Sequence, residues 1–148
     1  MKKIAIILAM LILIPLAASA QEKRVGVGFG HPNTVLTFSV DPFVGKIGYD
    51  FTSGEEFVFL GGSYTLINSR PFAGPFTASV GVGGFARLGF NDDEYIAGLN
   101  VPLTLELPLM DDFVEIFLEF DPGLELLPKP QFTFKSSCLW FGATLRLD

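Results

Sequence analysis

Apolar and polar positions alternate with a period of two along most of the chain, and the alternation restarts eight times. Successive residues of an extended strand point to opposite faces, so the pattern predicts strands with one apolar and one polar or glycine-rich face. In residues 24–30, Val25, Val27 and Phe29 alternate with Gly26, Gly28 and Gly30. His31-Pro32-Asn33 turns this run. Residues 34–40 set Leu36, Phe38 and Val40 against Thr37 and Ser39, before a turn at Asp41-Pro42. Residues 43–51 set Phe43, Ile47, Tyr49 and Phe51 against Lys46, Gly48 and Asp50. A turn over 52–55 carries Gly54. Residues 56–67 set Val58, Leu60, Tyr64 and Leu66 against Gly61, Ser63 and Thr65, with Phe57 and Phe59 as exceptions on the second face.

Residues 68–75 interrupt the period and read as a longer link. Residues 76–89 then oppose Val80, Val82, Ala86 and Leu88 to Ser79, Gly81, Gly83, Phe85 and Arg87. After a turn at 90–93, residues 94–107 oppose Leu99, Val101, Leu103 and Leu105 to Gly98, Asn100, Thr104 and Glu106. A turn at 108–112 leads into residues 113–126, where Val114, Ile116, Leu118 and Phe120 oppose Glu115, Glu119, Asp121 and Glu125. A turn at 127–130 precedes the last run, 131–147, where Leu139, Phe141, Ala143 and Leu145 oppose Cys138, Gly142, Thr144 and Arg146. Gly, Pro, Asn and Asp bound the runs, as strand punctuation requires. No capped stretch carries apolar residues at i, i+3, i+4 and i+7.

Residues 1–20 follow another rule. Lys2 and Lys3 precede a nearly continuous apolar run from Ile4 to Leu16, and Ala18-Ser19-Ala20 forms a small-x-small site. That order predicts a cleaved secretory signal peptide, with the mature domain over 21–148. The run is shorter than the roughly 20 apolar residues of a spanning helix and breaks at Pro15. Losing Lys2 and Lys3 leaves eight bases against sixteen acids and moves the net charge from -6 to -8. Nucleic acid is therefore not an expected partner. Cys138 is the one cysteine, so no internal disulfide forms.

Eight is an even number of strands, and closure into a barrel leaves no open edge. In a soluble barrel the apolar face is the core. In a membrane barrel it meets lipid and the other face fills the lumen. The second face here is rich in Gly, Ser and Thr, which suits a narrow interior better than a water-facing surface. The same face carries Lys46, Arg87, Glu106, Glu115, Glu119, Asp121, Glu125 and Arg146. These residues are expected to form a structural charge network in the lumen. The fold expected is all-β: an eight-stranded antiparallel up-and-down transmembrane β-barrel, with outer-membrane lipid around it. The alternative is a soluble periplasmic lipocalin-like barrel carrying an apolar ligand.

Three segments carry a resemblance. Gly26-Val27-Gly28-Phe29-Gly30-His31-Pro32-Asn33, Gly98-Leu99-Asn100-Val101-Pro102-Leu103 and Val114-Glu115-Ile116-Phe117-Leu118-Glu119-Phe120-Asp121-Pro122-Gly123-Leu124 resemble strands of a family of small spirochaete outer-membrane proteins. The acidic segment, with its EIFLE-x-x-P pattern, is the most specific. The resemblance implies an eight-stranded barrel similar to the transmembrane domain of OmpA, inserted by the barrel-assembly machinery and without a settled biochemical role. Outer-membrane barrels commonly end in an aromatic residue that the assembly machinery reads, whereas this sequence ends Leu145-Arg146-Leu147-Asp148.

Chemistry-bearing constellations are sparse. His31 is the one histidine and sits in a predicted turn, without the neighbouring nucleophile that acyl transfer needs. One His and one Cys far apart do not make a zinc site. Gly81-Val82-Gly83-Gly84 lacks the Lys and helix start of a phosphate loop. A Glu115–Glu119 glycosidase pair is conceivable, but charge balance in a lumen accounts for both residues. No catalytic, cofactor or metal residue is expected. The expected role is structural or surface-interacting, through an extracellular protein ligand that the sequence does not name.

Overall fold

The alternation becomes a closed wall of antiparallel strands in a computed structural model that describes residues 21–50, 56–90, 95–131 and 137–147. The expected leader over 1–20, the expected turn over 52–55 and most of the expected turn over 90–93 lie outside the described residues. The strands are β1 (Lys23–His31), β2 (Thr34–Val40), β3 (Phe43–Asp50), β4 (Phe57–Ala73), β5 (Phe76–Gly89), β6 (Tyr95–Asn100), β7 (Leu103–Leu109), β8 (Val114–Asp121), β9 (Gly123–Leu127) and β10 (Cys138–Leu147).

Ten segments make eight staves. β6 and β7 both pair with β5, and they continue one another across Val101-Pro102. β9 pairs with β6 while β8 pairs with β7, so these two also form one stave, interrupted at Pro122. Proline has no N–H to give the ladder. The two interruptions nevertheless lie beside their neighbours and stay bonded. Pro102 accepts from the Gly81 N–H at 2.9 Å, and Pro122 accepts from the Val101 N–H at 3.1 Å. β10 pairs with both β8 and β1, which closes the barrel.

The register fixes the barrel's shape. Thr77 pairs with Glu106, Glu106 with Phe117, Phe117 with Gly142, and Gly142 with Gly28. Gly28 pairs with Val35, Val35 with Gly48, Gly48 with Phe59, and Phe59 with Arg87. One circuit thus returns to β5 ten residues beyond its start. With strands about 4.8 Å apart and a rise of about 3.3 Å per residue, that stagger tilts eight staves by about 40°, within the usual range for closed barrels.

All members of this circuit face the lumen, as do the residues two positions above and below them. The opposite face is apolar and points outward, so the phase read from the sequence holds on the described staves as far as Thr65 of β4, although Val40, expected on the apolar face with Leu36 and Phe38, is buried. Leu36, Ile47, Leu99, Leu118 and Phe141 are exposed outside, with Leu36 at 59%. Across the described staves, leaving aside β4 beyond Thr65, Lys23 is the one outward residue with a formal charge. The buried cluster is instead inside: Val35, Phe59, Phe85, Phe117, Cys138 and Trp140.

Three boundaries differ from the sequence reading. The expected link over 68–75 is mostly strand. β4 runs on to Ala73 and meets β5 through a turn at Gly74-Pro75. Register shifts between Thr65 and Ile67, Ile67 and Arg70, and Pro71 and Ala73 insert extra residues, and each cancels the period-two signal. Gly74 has φ of 57°, a left-handed conformation that favours glycine. The expected turn over 108–112 moves to 110–113, because Pro108 and Leu109 still pair with Glu115 and Val114. The last strand begins at Cys138 rather than at Gln131, which makes an isolated bridge with Glu125.

Candidate functional site: the lumen

The inward face has glycine where large rings must fit. Phe117 lies over two of them: a Cβ on Gly28 would stand 3.2 Å from the Phe117 ring, and one on Gly142 would stand 2.9 Å from it. Phe85 occupies the space beside Gly98 in the same way. The rings then meet one another. Phe59 packs edge-on to Trp140 at 5.4 Å and stacks with Phe85 at 6.5 Å. Trp140 is fully buried at 0% exposure, and its indole N–H donates to the Asn33 carbonyl at 2.9 Å. These side chains fill the bore, as eight-stranded interiors generally are filled.

The charged residues surround this plug. Lys46 on β3 reaches Glu119 on β8 at 2.5 Å, and its ammonium lies 5.2 Å from the centre of the Trp140 ring. Thr104 donates a weaker bond to the other Glu119 oxygen at 3.3 Å. Arg87 points towards the Cys138 sulfur at 3.8 Å and stands 5.5 Å from the Phe57 ring centre. Asn100 donates to Asp121 at 2.6 Å, and Gln131 donates to Glu125 at 2.5 Å. Arg146 registers with Arg24 near the end of β10 and is half-buried.

The acids are thus held mostly by neutral donors. Glu106 accepts from three hydroxyls: Ser79 at 2.7 Å, Thr77 at 3.1 Å and Ser69 at 3.1 Å. Of the three bases named from the sequence as compensators, Lys46 makes the buried ion pair with the acidic strand. Sequence reasoning missed Arg24. It sits between Glu22 at 2.5 Å and Glu115 at 3.8 Å, and donates to the Asp112 carbonyl at 3.0 Å. Its place on the inward face with Gly26 and Gly28 was the available signal.

At the end holding Lys23, Leu147 and the turns at 41–42, 74–75 and 110–113, the lumen opens into a cavity of about 160 Å³. Phe117 and the Lys46–Glu119 pair lie at its inner side, and Glu22, Asp41, Glu106 and Glu115 line its wall. Thr37 also lines it, and its buried hydroxyl has no hydrogen-bond partner among the described residues. Among the described residues, no three His, Cys, Asp or Glu side chains are grouped closely enough to hold a metal. His31 is exposed on the outward face of β1. No protein family, curated protein or solved structure matches the chain, so the functional reading rests on the chemistry of the barrel itself.

Proposed function

We propose that the chain is a small outer-membrane barrel, exported by its leader, with a structural or surface-interacting role, a plugged lumen and no catalysis. The observation that carries this reading is the near absence of charge from the outward wall, where Lys23 alone carries a formal charge among the described staves considered above. Contiguous exposed apolar surface beyond a few hundred Å² marks an interaction or membrane face. A wall that is apolar on every stave has lipid as its natural solvent. Two outward aromatic pairs support this. Phe43 and Tyr64 meet at 5.2 Å near one end of β3, while Tyr49 and Phe90 meet at 6.0 Å near the other. Aromatic girdles flank the apolar band of membrane barrels in the same way.

A lipocalin-like carrier is the other reading of eight strands. It requires charge outside and a dry apolar cavity inside. Here the cavity is lined by carboxylates, and the apolar part of the interior is occupied by its own rings. The deciding experiment is separation of cell envelopes on a density gradient, paired with refolding of the purified protein into phosphatidylcholine vesicles. We expect the protein in the outer-membrane fraction and a heat-modifiable gel band from the vesicles. Recovery mainly in the soluble periplasm, with no band shift in lipid, would overturn the proposal.

A further inference from the structure

We propose that the open cavity at the Lys23–Leu147 end of the lumen binds a small organic cation, namely an aliphatic diamine carrying two ammonium groups. This goes beyond the membrane reading and concerns the interior, which is the same whether lipid or water lies outside.

The size and charge of the cavity point this way. Its volume of about 160 Å³ is close to that of a cavity able to admit benzene. Five acids line it, Glu22, Asp41, Glu106, Glu115 and Glu119, against Arg24 and Lys46. Both bases are already engaged. Lys46 is held by Glu119, and Arg24 by Glu22 and the Asp112 carbonyl. Among the described residues Glu106 therefore has no base within ion-pair distance, and Glu115 has only a share of Arg24, which lies nearer Glu22. Glu106 and Glu115 sit on adjacent strands, because Glu106 registers with Phe117, two positions from Glu115. The hydroxyls of Ser69, Thr77 and Ser79 orient Glu106 without neutralising it. Glu115 has only Thr144 at 3.5 Å and Arg24 at 3.8 Å.

Thr37 supplies an independent sign of a missing ligand. It is only 6% exposed, lines the cavity from β2, and has an unpartnered hydroxyl. A buried polar group without a partner is costly. An ammonium group brings three donors and no acceptor. It can give one to the Thr37 oxygen and others to carboxylates. A diamine places its second charge at the other acidic wall, with a short apolar chain between. A single metal ion would need clustered ligands, and these acids are spread along the wall rather than grouped. An anion would meet five carboxylates here, and the Arg24 Nη1 that lacks a hydrogen bond already faces Glu115 at 3.8 Å.

The test is calorimetric titration of the full-length folded protein in a non-ionic detergent. The probes are 1,4-diaminobutane, the zwitterion 4-aminobutyrate and neutral 1,4-butanediol, which share one chain length. Saturable binding of the diamine is expected, with the other two at least about tenfold weaker, since charge-assisted hydrogen bonds are the strong ones. Glu115→Gln should weaken the diamine by about tenfold or more. Thr37→Val should weaken it as well, and Thr37→Ser should keep it. Each variant is first shown to be folded by its heat-modifiable migration. If Glu115→Gln does not fold, the Thr37 pair and Glu106→Gln decide the matter. No diamine binding at millimolar concentration would overturn the proposal. So would equal binding of 4-aminobutyrate or butanediol, displacement by equimolar Mg²⁺, or unchanged affinity in every folded variant.

Discussion

Lys46 and Glu119 are 73 residues apart in the chain, yet their charged atoms lie 2.5 Å apart across the lumen, and both side chains are almost wholly buried. A buried ion pair adds little net stability over an apolar pair of similar size, because both charges give up water. Breaking it from one side is a different matter. Lys46→Met leaves Glu119 as an uncompensated charge and should cost about 3–5 kcal/mol. Combining it with Glu119→Leu should recover most of that loss. Urea unfolding in detergent measures both. A double variant less stable than either single one would refute this account of the pair.

The outward phase of the acidic strand gives a second expectation. Leu118 faces out and Glu115 and Glu119 face in. Leu118→Arg should destabilise the barrel in lipid by about 2–4 kcal/mol if the residue lies near the midplane. Lipid-borne quenchers should reach a label at Leu118→Cys and not one at Glu115→Cys. Native Cys138 is buried and should stay unlabelled in the folded protein. A quencher that reaches position 115 but not 118 would reverse the phase.

The phase itself was legible because one face of each strand is nearly free of charge, and a slip of a single residue would expose that contradiction at once. Leu36 and Phe38 against Thr37 and Ser39 is the pattern at its plainest. Legibility fails where the chain adds residues to a strand. Between Thr65 and Ala73 three register shifts erase the alternation, so strand looks like link. It also fails for partners. The identities of Glu106 and Asp121 do not reveal that hydroxyls and an amide hold them, because those donors come from strands or positions whose heights only the register sets. Ser69, Ser79 and Asn100 read in sequence as small or polar residues on the inner face, or as link.

Glycine and aromatic residues are matched across the bore, and that match is a third test. Gly28 faces the Phe117 ring so closely that an added Cβ would stand 3.2 Å from it, tighter than an ordinary van der Waals contact. Gly28→Val should overpack this contact at a cost of about 1–3 kcal/mol. Adding Phe117→Leu should return part of it. Thermal melts of the three variants decide, and an unperturbed Gly28→Val would mean that the plug is loosely packed.

The same plug predicts electrical silence. Phe59, Phe85, Phe117 and Trp140 fill the section beyond the cavity, and the cavity has Phe117 and the Lys46–Glu119 pair at its inner side. Planar-bilayer recordings of the purified wild type should show no steady conductance. Large, stable open levels would contradict the packing described here.

The seam between β1 and β10 bears on the order of assembly. Lys23 pairs with Leu147 and His31 with Leu139, so the wall is joined by residues more than a hundred positions apart. A nascent chain that has not yet delivered Cys138–Leu147 has two unsatisfied edges, on β1 and on β8. Such edges invite pairing with other chains. Local hairpins can form early, but the ring is joined only after the costliest loop closure has been made. The barrel's most exposed moment is therefore its last, and a chaperone that shields strand edges until then would act on a species that the finished wall no longer displays.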